Sequence, residues 1–136
     1  MGWQKVNITV DTNVLARAVL QDDPAQARGA AKVLEKASLI AVTLPSLCEL
    51  AWILLRGAQL PKEKVAAAIR ALLDTENVVM NRPAVEAGLA FVEAGGDFAD
   101  GVIAFEGNWL GGETFVSFDK KAVALLAAQG LSTRLL

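Results

Sequence analysis

The stretch VNITVDTN at Val6–Asn13 constrains the chain more than any other. Val, Ile and Thr favour extended backbone, so Val6–Val10 reads as a buried strand. The apolar run VLARAVL that follows has helical spacing. Asp11 therefore falls where a strand gives way to a helix. In an open parallel sheet, ligands bind at the carboxyl ends of the strands. A carboxylate there is costly to bury unless it is paired or holds a metal.

The rest of the chain repeats the alternation. Val14–Leu20 reads as a short helix. Asp23 caps a second helix, with Pro24 at its first position, that runs to Lys36 with Ala30, Ala31 and Leu34 inward. Leu39–Thr43 is a second strand. Pro45 opens a third helix, Ser46–Leu55, apolar almost all round and so expected to be deeply buried. Pro61 opens a fourth, Lys62–Leu73, with Val65, Ile69, Leu72 and Leu73 on one side. Asn77–Met80 is a third strand. Pro83–Ala94 is a fifth helix, and Gly95-Gly96 stops it. A sixth runs from Asp97 or Phe98 to about Leu110. Thr114–Phe118 is a fourth strand, Lys120–Gln129 a last helix with Gly130 past its end, and Leu131–Leu135 a fifth strand. The pattern predicts an α/β fold: one mostly parallel, five-stranded sheet flanked by helices on both faces. The 136 residues suit a single domain with its own core.

Composition narrows the chemistry. Hydrophobic residues make up 54% of the chain and mean hydropathy is +0.40, high values that point to apolar surface covered by oligomerisation or a partner. A net charge of −2 removes any global attraction to nucleic acid, so binding must rest on local basic residues or on metal. Cys48 is the one cysteine and reads as a small core residue. The chain fits a reducing cytosol, and its N-terminus lacks signal-peptide features. Ala37–Leu55 carries a single charge, Glu49, but Pro45 and its β-branched first part fit a strand and a buried helix better than a membrane span. A cytoplasmic protein without membrane contact is expected.

Four acids stand out, each with a plainer explanation. Asp11 and Asp119 both follow apolar strands and precede helices, where an N-cap accounts for either. Glu49 is the only charge between Lys36 and Arg56, and Glu is seldom buried without a partner. An ion pair with Arg56, two helical turns on, is its structural alternative. Asp97 and Asp100 form D-F-A-D at a helix start. There they suit a capping-box-like arrangement and the helix dipole, while their spacing also puts both on one face. Asp100 is expected to be the ligand and Asp97 a cap or outer ligand, with Ser117 supporting the cluster by hydrogen bonding. Four gathered carboxylates repel one another without a cation, and oxygen-rich sites suit Mg²⁺ and Mn²⁺.

The chain has no histidine, which removes histidine acid–base, Ser-His-Asp and Cys-His catalysis. Nor does it contain G-x-x-x-x-G-K-[ST] or G-x-G-x-x-G, so no nucleotide-cradling loop is indicated. Metal chemistry remains, in which a bound cation lowers the pKa of a water. Asp11 and Asp100 would be the main ligands, with Glu49 and Asp119 as ligands or as bases toward the water. Arg17, Arg56 and Lys120-Lys121 can contact phosphates, or lie on solvated helix faces. Trp3, Trp52 and Trp109 can stack on bases; a core position is favoured for Trp52, and core or dimer surface for Trp109.

D-T-N at 11–13, S-x-x-E at 46–49, D-F-A-D-x-x-I-A at 97–104 and T-F-V-S-F-D at 114–119 together resemble the PIN-domain nucleases, and particularly the VapC-type toxins of bacterial and archaeal toxin–antitoxin pairs. The resemblance spans nearly the whole chain in the family's order. It implies a Rossmann-like sheet, a metal-dependent endoribonuclease using Mg²⁺ or Mn²⁺, products with a 5′-phosphate and a 3′-hydroxyl, a homodimer, and an antitoxin that covers the site. On it, Asp11, Glu49, Asp100 and Asp119 match the acidic quartet, Asp97 an additional acid, and Asn13 and Ser117 polar helpers. Gly101 departs from the subgroup's usual alanine, which weakens the helix by about 1 kcal/mol. A catalytically inactive module of the same fold, or a phosphoryl-transfer protein on a similar sheet, are the alternatives. The intact acids oppose the first and Asp-Thr-Asn, in place of an acid pair, opposes the second.

Overall fold

The computed structural model describes residues 6–136. Trp3 lies outside them. The described residues fall into two compact units that divide between Arg82 and Pro83. No helix among them is long and apolar enough to cross a membrane.

In the first unit, β1 (Asn7–Thr9), β2 (Leu39–Ala41) and β3 (Val78–Val79) form a parallel sheet in the order β1-β2-β3. Ile8 stands opposite Ile40, and Ile40 opposite Val78. Three of its helices are α1 (Thr12–Leu20), α2 (Pro24–Lys36) and α4 (Lys62–Leu73). The Asp23 carboxylate accepts from the N–H of Gln26, with Pro24 opening α2 as its sequence demands. Leu15, Ile40, Val42, Leu47, Leu50, Leu54, Val65 and Ile69 are buried in this unit. Within α2 the buried residue is Ala30; Ala31 is exposed and Leu34 half-buried. The face α2 turns inward is thus narrower than its apolar stripe suggests. In α4, Val65, Ile69 and Leu73 are buried, with Leu72 half-buried.

The helix α3 (Leu44–Trp52) differs most from expectation. It starts earlier, because the Thr43 hydroxyl accepts from the N–H of Ser46 and caps it. It ends in a π-turn, Ile53–Gly57, closed by the N–H of Ala58 on the carbonyl of Ile53 at 2.9 Å. Nor is it buried all round. Leu47, Leu50, Ala51 and Leu54 complete its inward face, which leaves Glu49 and Trp52 exposed on the other side and Cys48 half-buried.

The second unit holds α5, whose range Arg82–Glu93 begins at the division, then α6 (Phe98–Trp109), β4 (Thr114–Ser117), α7 (Lys120–Ala128) and β5 (Ser132–Leu135). β4 and β5 pair in parallel, Phe115 opposite Thr133. Phe91, Ala104, Ala122 and Leu126 form the core, with Phe115, Leu125 and Leu131 packed against it. Trp109, at the end of α6, is 79% exposed rather than core.

The described strands therefore form a sheet of three and a sheet of two, where alternation alone suggests one sheet of five. Apolar patterning marks a segment as extended; it does not say which edge pairs with which, because pairing depends on contacts remote in sequence.

Candidate carboxylate site

In the first unit, the candidate acids follow adjacent parallel strands, Asp11 just past the end of β1 and Glu49 within the helix after β2. Asp11 follows β1 and is the N-cap of α1: its carboxylate accepts from the N–H of Val14 at 3.1 Å. The capping explanation is thus real, and it leaves the other carboxylate oxygen and an exposed side chain. Thr12 turns inward and is only 8% exposed, while Asn13 is exposed. Thr12 is the middle residue of the D-T-N motif, whose flanking residues face outward.

Glu49 belongs to α3, which begins just after β2 and packs against α1. Its exposure corrects the expectation of a charge sunk in an apolar helix. An arc of leucines hides the inward side only, and Glu49 lies off that arc. Arg56 falls within the π-turn and is also exposed. Arg17 is engaged: its Nη1 donates to both oxygens of Asp22 at 3.1 and 3.3 Å, and its Nε donates to Gln26 at 2.6 Å. The guanidinium thereby ties α1 to the start of α2.

In the second unit, Asp97 is the N-cap of α6 by backbone position, but its side chain makes no capping hydrogen bond. The capping-box reading therefore fails at the atom that matters. Asp100, three residues further on in the first turn of α6, is half-buried. Burial raises its pKa above the usual 3.8, and the negative charges of Asp97 and Asp119 raise it further. Asp100 is thus the acid of this unit on which the charges of the other two act. Asp119 follows β4 and caps α7, accepting from the N–H of Ala122 at 3.0 Å. Ser117 supports it through the backbone: the Ser117 hydroxyl accepts from the Asp119 N–H at 2.9 Å. Lys120 and Lys121 are exposed in the first turn of α7.

Among the described residues, no three acids stand close enough together to hold one metal ion. The donor set still fits a hard divalent cation, since it is all oxygen and Asp100 is destabilised as an anion by its neighbours. Gly101 is explained by packing. A Cβ there would meet the Phe91 Cβ at 2.7 Å and the Ala87 carbonyl oxygen at 2.9 Å. Glycine lets α6 approach α5 where alanine would collide.

A family model described as PIN domain matches residues 8–125. No curated protein matches, and no solved structure matches. The matched span includes Asp11, Glu49, Asp97, Asp100 and Asp119, and PIN domains are generally nucleases that use divalent metals. The chain belongs to the PIN-domain family.

Proposed function

We propose that this PIN-domain protein is a metal-dependent endoribonuclease and the toxin of a toxin–antitoxin pair. Its one domain would span residues 1–136. In the second unit Asp100 and Asp119 would serve as ligands for Mg²⁺ or Mn²⁺, with Asp97 and Ser117 supporting them; in the first unit Asp11 and Glu49 would serve as ligands, with Asn13 beside Asp11. The observation that carries this reading is the half-buried Asp100 carboxylate, set in a chain of this family where burial and the charges of Asp97 and Asp119 disfavour its anion. A carboxylate kept charged beside two others is stabilised by a cation.

When bound, the metal supplies charge that lowers the pKa of a water and offsets negative charge at the phosphate. The chain's own residues do the rest. Capping hydrogen bonds fix one oxygen each of Asp11 and Asp119, which sets where their second oxygens point. Glu49, exposed and uncapped, takes the proton of the attacking water. The P–O3′ bond then breaks, leaving a 5′-phosphate and, after proton transfer to the leaving oxygen, a 3′-hydroxyl. Lys120 and Arg56 contact flanking phosphates. Arg17 joins them only by giving up Asp22.

A homodimer and a cognate antitoxin would cover the exposed apolar side chains, and the protein would act in the cytoplasm. The deciding experiment is cleavage of structured RNA by the purified protein with Mg²⁺, Mn²⁺ or chelator, beside Asp11→Asn and Asp100→Asn. Metal-dependent cutting lost in both variants is expected. Cutting that survives both substitutions overturns the assignment. Growth arrest on expression, relieved by the protein encoded beside it, tests the toxin role separately.

A further inference from the structure

Glu49, Trp52 and Arg56 follow one another at spacings of three and four residues along α3 and its π-turn, which makes them neighbours on one helix surface. The inward side of this helix is complete without them. Trp52 is 64% exposed, against a core position expected from the sequence. Indole is large and mostly apolar, and tryptophan is enriched where a surface meets a partner. On one side of it stands a carboxylate of the proposed catalytic set, and on the other an exposed guanidinium.

We infer that Trp52 stacks on an unpaired base of the RNA strand whose scissile phosphate lies at Glu49, with Arg56 on the adjoining phosphate. This deepens the ribonuclease reading and rests on it. The chain's net charge of −2 means that nucleic-acid attraction must be local, and a flat π-face next to a guanidinium is such a local device. Stacking accepts any base, provided that it is not already stacked in a duplex, so the partner is single-stranded RNA. The π-turn adds support, since single π-turns in α-helices are frequent at functional sites. It begins directly after Trp52 and carries Arg56.

The test is binding of a short, labelled, single-stranded RNA of mixed sequence to the full chain with Mg²⁺. An Asp100→Asn background keeps the strand intact. Trp52→Leu preserves an apolar side chain but not a π-face, and Trp52→Phe preserves both in part. Trp52→Leu should weaken binding by about 5- to 150-fold, the range of alanine substitution at stacked bases. Trp52→Phe should bind between the two, and abasic RNA should erase the differences. Equal binding by all three proteins overturns the inference. So does a Trp52→Leu variant whose oligomeric state changes on sedimentation while its RNA binding does not, which would mean that a second copy covers the indole. If the unsubstituted protein cuts RNA while binding ignores Trp52, this inference alone falls. If it neither cuts nor binds RNA, the ribonuclease reading falls and takes this one with it.

Discussion

Gly101 of α6 lies against Gly88 of α5: a Cβ on Gly101 would come within 3.0 Å of the Gly88 Cα. Real Cβ contacts are seldom that short, and the obstacle is backbone, which cannot swing aside. Alanine at this position would gain about 1 kcal/mol of helix propensity. Overpacking a close contact costs about 1–3 kcal/mol, so the collision wins. Gly101→Ala should lower stability by up to about 2 kcal/mol in urea unfolding. Gly107, in the same helix, has open space where a Cβ would stand, with nothing within 4 Å, so Gly107→Ala should instead raise stability by up to about 1 kcal/mol. The same sign for both substitutions would refute the packing account.

Asp100 makes stability and activity pull apart. Its pKa is raised in the folded protein by burial and by Asp97 and Asp119. Between the ordinary value of 3.8 and the raised one, the folded state keeps a proton that the unfolded state releases. Stability therefore falls as pH rises through that window, and the loss persists at neutral pH. Asp100→Asn removes the strained charge. In chelator at pH 7 the variant should melt above the unsubstituted protein, and the gap should close in acid. Adding Mn²⁺ should raise the melting temperature of the unsubstituted protein more than that of the variant. A variant that melts lower at pH 7 would contradict this account.

Asp11 and Asp119 each serve two purposes, and the substitutions separate them. Asparagine caps a helix about as well as aspartate, whereas alanine costs about 1 kcal/mol. Asp11→Asn and Asp119→Asn should lose RNA cleavage with little change in stability. The corresponding alanine variants should lose the same activity and, in addition, about 1 kcal/mol in unfolding. Full cleavage by either asparagine variant would confine that residue to capping.

Arg17 and Asp22 form a partly exposed ion pair at 3.1 Å. Such pairs are worth about 0–1 kcal/mol. A double-mutant cycle with Arg17→Ala and Asp22→Ala should give a coupling energy in that range. Asp22→Asn should strengthen RNA binding in low salt if the freed guanidinium reaches phosphate. Binding that is unaffected would restrict Arg17 to holding α1 against α2.

What the sequence determined by itself is local. The caps by Asp11, Asp23 and Asp119, the opening of α2 at Pro24, the span Lys62–Leu73 and the inward face of α4 all follow from interactions within a few residues. The family was legible too, because D-T-N, S-x-x-E, D-F-A-D and T-F-V-S-F-D are read in order along the chain. Tertiary structure decided the rest. Whether Asp97 caps with its side chain, which side of α3 is covered, and why Gly101 is glycine depend on where a second segment lies. Burial and charge coupling are properties of neighbours in space. An apolar stripe can say that Leu47 and Leu50 want a partner, but only packing shows that the partner covers them and leaves Glu49 and Trp52 in water.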